Sequence, residues 1–302
     1  MANLPTRTLG RTELEVTALG YGAMELRGAP RGRPVTPQQA NELLNEVLDS
    51  GINFIDTSID YGQSEELIGE AISHRRSEFF LASKCGCLVG ADPAPSGQRM
   101  AHDFTQKNIV AGVEQSLRRL KTNYLDLVQI HQGPPRSVLA EHEVVQSLLD
   151  LKQQGKVRFI GMSSTLPYLE DHIAMGVFDT FQIPYSALQR DHEAVISRAA
   201  QAGAGIIVRG GAARGAPSEA RQQGTGWDLW QQAALDDVLD GMSRMEFTLR
   251  FTFTHPDLHT NIVGTTSLDH FRANLDALQK GPLPSDMYAE AKRRLESVPR
   301  EA

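Results

Sequence analysis

Hydrophobic positions along the chain follow two alternating periods. In "TPQQANELLNEVLDSG", Leu43, Leu44, Val47 and Leu48 recur at helical spacing. Thr36 and Gln39 frame Pro37 as a capping box, and Gly51 supplies a stop. "NFIDT" then reads as a short buried strand. Ser64 opens another helix, with Leu67, Ile68, Ala71 and Ile72 on one face. The strand "EFFLASK" precedes a helix "TQKNIVAGVEQSLRRL", whose Ile109, Val113, Leu117 and Leu120 point inward. The alternation continues through strand "YLDLVQIH", helix "EHEVVQSLLDLKQQG", strand "KVRFIGMSS", helix "LPYLEDHIAMG", strand "DTFQIPY", helix "DHEAVISRAAQAG" and strand "GIIVRGG". A Gln/Gly/Arg-rich stretch from Gly211 to about Gln232 breaks the rhythm. Ser243 and Glu246 form a second capping box before "MEFTLRFTFTH", and "TNIVGTT", "DHFRANLDALQK" and a helix behind "PLPSD" close the series.

With "ALGYGAM" as the first, eight strand candidates alternate with helices, which implies a parallel sheet with right-handed crossovers. An open doubly wound sheet would announce a Gly-rich turn after its first strand. "GYGAME" carries only G-x-G, with no helix start behind it. Eight units in about 260 residues match a (β/α)8 TIM barrel with an extra C-terminal helix. With no internal linker, residues 1–302 read as one barrel domain.

Composition narrows the function. The 302 residues carry 30 Lys+Arg against 37 Asp+Glu, a formal charge of −7. Without basic runs, nucleic acid is not the expected partner. The N-terminal residues hold no apolar signal core, and no stretch approaches the roughly 18 apolar residues of a membrane helix. A cytoplasmic protein with no membrane partner is expected; the oligomeric state is not encoded legibly. The two cysteines, Cys85 and Cys87, have no further ligands nearby in sequence, so neither a disulfide framework nor a metal site is expected.

In such barrels the active site lies at the C-terminal ends of the strands. The strand candidates end in Asp56, Lys84, His131, Ser163, Gln182, Arg209 and Gly264. Any one of these could be a hydrogen-bonded structural residue. Together with Tyr61, on the loop beyond Asp56, they form a legible chemical group. A phenol titrates near about 10 and is a poor proton donor at neutral pH. A neighbouring lysine ammonium lowers that value, a carboxylate behind the lysine holds it charged, and a histidine orients a bound carbonyl or shares the proton.

These residues carry a resemblance. "NFIDTSIDYGQSEELIGEAI", "LASK" and "LDLVQIH" are similar to the motifs of the aldo-keto reductases, and the likeness runs from "RTLGRTELEVTALGYGAM" to "GTTSLDHFRANL". It implies a catalytic tetrad of Asp56, Tyr61, Lys84 and His131. It also implies reversible hydride transfer between a nicotinamide cofactor and a small-molecule aldehyde or ketone. Ser163, Ser164 and Gln182 match the family's carboxamide-binding positions, with Ser164 where asparagine is usual. Arg209, followed by Gly210, stands where many members stack an aromatic ring on the nicotinamide. A planar guanidinium stacks too, and a rim salt bridge is the alternative. Gly264, Thr265, Ser267, His270 and Asn274 match nucleotide contacts, at a helix start suited to phosphate. None of these is a permanent cation, so NADPH is expected with only modest preference and NAD remains open. Arg272 and Arg214 are the reserve cations. Met24, Cys85, Leu88 and Trp227 are the substrate-pocket candidates, with ordinary packing the alternative for Trp227 and Trp230. A cofactor-binding regulatory subunit and a sugar or polyol dehydrogenase are the competing functions, since fold does not fix function.

Overall fold

In the computed structural model, residues 4–90, 101–212, 217–218 and 226–299 are described. A hairpin of β1 (Thr6–Thr8) and β2 (Glu15–Thr17) precedes eight parallel strands that close into a barrel. These are β3 (Leu19–Gly22), β4 (Phe54–Asp56), β5 (Phe80–Cys85), β6 (Leu125–Ile130), β7 (Val157–Ser163), β8 (Thr180–Pro184), β9 (Gly205–Arg209) and β10 (Thr260–Val263). Sequential strands are neighbours, and β10 closes onto β3 with Asn261 opposite Leu19. The fold is the expected (β/α)8 barrel.

The helices between strands are α1 (Pro37–Asp49), α2 (Ser64–Ile72), α3 (Gln106–Arg119), α4 (Arg136–Glu141), α5 (Val144–Gln153), α6 (Leu169–Ala174), α7 (Glu193–Gln201), α8 (Trp227–Gln232) and α9 (Arg244–Thr254). After β10 follow α10 (Leu268–Gln279) and the extra helix α11 (Ser285–Ser297). Thr36 and Gln39 make the reciprocal capping box anticipated for α1. Two expectations change. "EHEVVQSLLDLKQQG" is not one helix: Glu143 sits at φ 47, in the left-handed region, and separates α4 from α5. At α9 only half the capping box forms. Ser243 accepts from the Glu246 N–H, while the Glu246 side chain pairs with Arg250 and Lys280. Two cations compete better for a carboxylate than one backbone N–H.

Inside the barrel the side chains form two layers. The lower is apolar: Phe54, Ala82, Leu127 and Ile207 cluster, with Phe80, Phe159 and Ile262 packed against them. Two residues further along β4, β5 and β6, the same inward-facing rows carry Asp56, Lys84 and Gln129. The hairpin plugs the floor. Its Leu9, Leu14 and Val16 join the lower layer, and the Arg11 N–H donates to Gly203 O at 2.8 Å, below β9. Arg7 reaches the end of α9, donating to the carbonyl oxygens of Phe253 (2.9 Å), His255 (3.2 Å) and Leu258. Cations are favoured where a helix leaves carbonyls unpaired. This hairpin was missed because each strand is only three residues long and its apolar residues interleave with polar ones.

At the upper rim, β3 and β10 approach so closely that a Cβ on Gly264 would lie 2.3 Å from the Gly22 carbonyl oxygen. Gly210 differs: it has φ +73 and nothing within 4 Å of a built Cβ. Gly264→Ala must therefore push two backbones apart, with an expected loss of about 1–3 kcal/mol or more. Gly210→Ala carries only the left-handed backbone cost of about 1–2 kcal/mol. Urea-unfolding midpoints of the two variants should rank in that order, and the reverse order would contradict the rim packing.

Candidate active site

The upper layer is organised around one carboxylate. Lys84, whose side chain is 0% exposed, donates from Nζ to Asp56 Oδ2 at 2.5 Å and to Thr57 O at 2.8 Å. Asp56 Oδ1 accepts from Gln129 Nε2 at 2.9 Å and from Gln182 Nε2 at 2.8 Å. Because β4 and β8 lie on opposite sides of the barrel, the Gln182 contact spans its interior. Gln129 was not anticipated from sequence, where only strand-end residues were considered. The period-2 row that links Leu127 to Gln129 and Ala82 to Lys84 is the signal that finds it.

Tyr61 sits in the turn between β4 and α2. The Tyr61 N–H donates to Ser58 O at 3.1 Å, and Tyr61 O accepts from the Ser64 N–H at 2.9 Å. Ser64 Oγ also donates to Ala23 O at 2.9 Å, pinning the turn to the segment after β3. Lys84 Nζ lies 4.8 Å from the Tyr61 ring centroid. Burial penalises Lys84's charge, yet Asp56, with Tyr61 and Asp60, carries its pKa above the ordinary lysine value. For Tyr61 the sequence expectation needs correction. Lys84 does pull the phenol down, but burial outweighs it and the pKa is raised. Tyr61 therefore stays protonated at neutral pH, a state that keeps a proton available for donation.

His131 follows β6, and its N–H continues the ladder to Cys85 O at 2.9 Å. Its ring is 6.1 Å from Tyr61 in an edge-on arrangement, and Nδ1 is 3.1 Å from Cys87 Sγ and 3.5 Å from Asp60 Oδ1. Burial, with Lys84 nearby, pushes the imidazole down to about 3 against the pull of Asp60, so the ring is neutral. Asp56, Tyr61, Lys84 and His131 are thus brought together.

On the neighbouring strands, Ser163 Oγ donates to Gln182 Oε1 at 3.3 Å. Gln182 therefore already gives one N–H to Asp56 and accepts from Ser163. His172 Nε2 lies 2.8 Å from Pro134 O, which only accepts, so Nε2 carries the proton. Nδ1 is then an acceptor, and the Ser164 hydroxyl donates to it at 2.9 Å. This leaves Ser164 oxygen lone pairs for any further partner, the capacity needed to receive an amide N–H. His172 was another residue missed; it lies on α6, eight positions beyond Ser164. Gly133 makes room for both: its Cβ would fall 2.5 Å from Ser164 Oγ and 2.8 Å from His172 Cε1. Arg209 ends β9, close enough to lower the pKa of His131, and Gly210 follows it.

At the far side, Tyr21 donates to Thr265 O at 2.8 Å, and Thr265 Oγ1 accepts from the Ser267 N–H at 3.1 Å. Ser267 caps α10 by accepting from the His270 N–H. Asn274 is buried one turn later, and His270 is exposed. Helix starts leave backbone N–H groups without intrahelical partners, a donor set that suits phosphate. Arg272 is exposed and bound to Glu46 at 3.0 Å. Arg214 and most of the segment 211–225 lie outside the described residues.

The pocket expectations divide. Met24 and Leu88 are exposed, at 42% and 38%, on the segments after β3 and β5. Cys85 is corrected. It is fully buried in the main core between sheet and helices, because it alternates with the inward Lys84. Trp227 is corrected too: it is 7% exposed, packed in that core, with the Arg244 guanidinium 4.8 Å from its ring. Trp230 likewise packs edge-on against Phe247 and donates to Asp236 at 3.0 Å. Cys87, not Cys85, reaches the site.

A carboxylate, a lysine, a phenol and an imidazole thus converge at the C-terminal rim of a (β/α)8 barrel, and comparison with known proteins places that barrel in a family. The model of the Aldo/keto reductase family matches residues 18–296, and the chain belongs to that family. Its structure matches an aldo-keto reductase, AKR11C1 from Bacillus halodurans in its holo form, with a TM-score of 0.85, 28% identity and 99% of both chains covered. It is 26% identical over 288 residues to an uncharacterized oxidoreductase, YqkF of Bacillus subtilis, covering 90% of each chain. L-galactose dehydrogenase of Arabidopsis thaliana is 33% identical over 192 residues, 59% of this chain and 56% of the relative. The protein is an oxidoreductase of a family that uses nicotinamide cofactors on small-molecule carbonyl compounds. Among the described residues, no helix is long and apolar enough to cross a membrane.

Removing Lys84 tests the network. Lys84→Met leaves Asp56 buried without its cation and should cost about 3–5 kcal/mol of stability. Asp56→Asn with Lys84→Met should cost clearly less than the two single losses combined. Lys84 is also the charge that opposes burial at Tyr61, so the alkaline limb of the residual pH–rate profile should move upward in the single variant. Additive losses and an unshifted limb would leave Lys84 without this role.

Proposed function

We propose that the chain is an NAD(P)H-dependent carbonyl reductase of one barrel domain, with Tyr61 as general acid. The observation that carries this reading is the convergence of Lys84, Asp56 and His131 beside a phenol that burial keeps protonated. When bound, the cofactor supplies a hydride to the carbonyl carbon. Tyr61 then donates its proton to the carbonyl oxygen as negative charge develops there, and Lys84 stabilises the phenolate left behind. His131, neutral, orients the oxygen by hydrogen bonding. Asp56 holds Lys84 in place, and Gln129 and Gln182 hold Asp56.

The donor set fits a dinucleotide. Ser163, Ser164 and Gln182 would meet a carboxamide, with Ser164 accepting, and Arg209 with Gly210 would flank the ring. Gly264, Thr265, Ser267, His270 and Asn274 would hold the nucleotide end. Met24 and Leu88 would contact the substrate. The likeness to L-galactose dehydrogenase favours a second reading, oxidation of a sugar, by the same residues run in reverse. Turnover of aldehydes, ketones and sugars, followed through cofactor absorbance, separates the two.

Tyr61→Phe keeps the ring and removes the proton donor. It should lower kcat by about 100-fold or more while leaving cofactor affinity in place. Near-native kcat would remove Tyr61 from the chemistry.

NADPH is the first choice, with modest preference. Arg272 is held by Glu46, which leaves Ser267, backbone N–H groups and His270 for a 2′-phosphate. Charge-assisted contacts to an arginine are worth about 1.5–3 kcal/mol each. Without them the preference over NADH in kcat/KM should stay within about 100-fold, or roughly 2.7 kcal/mol. A preference of several thousandfold would require a permanent cation at the 2′-phosphate.

A further inference from the structure

Beside the tetrad, Cys87, His102 and His131 converge. Their ligand atoms all lie within 4.8 Å of one another. Cys87 Sγ is 3.1 Å from His131 Nδ1 and 3.7 Å from His102 Nε2. Zinc–sulfur and zinc–nitrogen bonds of about 2.3 and 2.0–2.1 Å at a tetrahedral angle place such atoms roughly 3.5 Å apart. Both sulfur–nitrogen distances lie within about half an ångström of that figure, and the two imidazole nitrogens, within 4.8 Å of each other, would close toward about 3.4 Å by a turn of the rings.

The backbone already fixes this arrangement. Cys87 and His102 are partners in an antiparallel bridge. Flanking it, the Leu88 N–H donates to Ala101 O and the Asp103 N–H to Gly86 O, both at 2.9 Å. Asn108, at the start of α3, clamps the two arms together. Its Nδ2 donates to Cys87 O at 3.0 Å and to Asp103 O at 2.7 Å. The His102 ring stacks on Phe104 with centroids 5.8 Å apart, and His131 is held from the opposite side by its ladder bond to Cys85. Sequence reading set the cysteines aside as ligands because it considered only their neighbours. His102 lies fifteen residues beyond Cys87 and His131 forty-four.

We propose that Cys87, His102 and His131 form a site for a borderline-soft divalent cation, of which Zn²⁺ is the natural occupant, and that its occupancy shuts down carbonyl reduction. One thiolate and two imidazoles select zinc over magnesium or calcium, which require oxygen ligands. Three protein ligands leave a fourth position for water. As the sulfur–metal bond forms, Cys87 releases one proton to solvent, and no electron is transferred. Asp60 Oδ1, 3.5 Å from His131 Nδ1, supplies a carboxylate beside the ion's net positive charge. Shutdown follows because ligation through Nδ1 draws the His131 ring toward Cys87 and adds a divalent charge beside the cluster, so that Nε2 no longer meets the carbonyl oxygen at the position the proposed reduction needs. The metal-binding half stands on ligand geometry alone, and the inhibitory half rests on the role proposed above for His131.

Cobalt(II) serves as the spectroscopic probe, added to the reduced, chelator-treated full chain. Binding should produce a thiolate-to-cobalt charge-transfer band and tetrahedral ligand-field bands that saturate at one equivalent and vanish on adding Zn²⁺. Cys87→Ser should abolish the charge-transfer band, and His102→Ala should weaken cobalt binding by at least tenfold, with far-ultraviolet circular dichroism confirming that both variants fold. A missing band, or one that persists in Cys87→Ser, overturns the site. In turnover assays, Zn²⁺ should inhibit reversibly, with chelator restoring the rate, and His102→Ala should raise the inhibitory concentration by the factor measured with cobalt. Inhibition that is absent, or equal in Cys87→Ser, overturns the coupling. The cobalt titration decides the site even for a preparation that turns over no carbonyl compound, and such a preparation counts against the Tyr61 reading instead.

Discussion

A single buried carboxylate at the centre of the barrel governs the rest. Asp56 is almost wholly removed from water, a position that is strongly unfavourable for an isolated ion. It is tolerated because Lys84, Gln129 and Gln182 bring donors from three other strands. Each of those side chains must then point inward at one height, which sets the register of β4, β5, β6 and β8 together. The apolar layer of Phe54, Ala82, Leu127 and Ile207 beneath keeps solvent from entering and screening the cluster. Polar precision above depends on ordinary packing below.

The same layering explains why Tyr61 behaves differently from the simple pairwise expectation. A lysine beside a phenol suggests a depressed pKa when only the two charges are considered. In the folded chain the phenol is surrounded by protein, Asp56 and Asp60 add negative charge, and the balance moves upward. Lys84 is thus less a means of ionising Tyr61 at rest than a charge already in place when the proton departs. Preorganisation of that kind is what gives electrostatic stabilisation its leverage.

The barrel, the ends of its strands and the four rim residues were legible because they follow from period and position. Asp56, Lys84 and His131 each close a near-continuous apolar run, and Tyr61 follows within a turn. Gln129 was hidden because it sits inside such a run, where a polar residue looks like an interruption. His172 and the Cys87–His102 bridge were hidden for a different reason. Their partners are chosen by three-dimensional proximity across separate elements, which no local spacing announces. Cys85 was misplaced because exposure cannot be inferred from lying near a strand end, while Trp227, at the start of α8, follows its packing alternative. On a strand, adjacent residues face opposite sides, and Lys84 had already taken the inward direction.

The N-terminal hairpin has a consequence for how the molecule is made. Arg7 and Arg11 leave the ribosome well before their acceptors, which lie at Gly203, Phe253, His255 and Leu258, for Arg7 about 250 positions later. Contacts so distant along the chain carry a large loop-closure cost and form late. The hairpin is therefore synthesised long before it can dock, which it does only when β9 and the end of α9 are present to receive it. A chain interrupted before that point keeps Leu9, Leu14 and Val16 without their partners on β9 and β10. That exposed apolar surface marks it for chaperones and proteases. The floor of the barrel thus acts as a seal that closes only once the chain has been made through the end of α9.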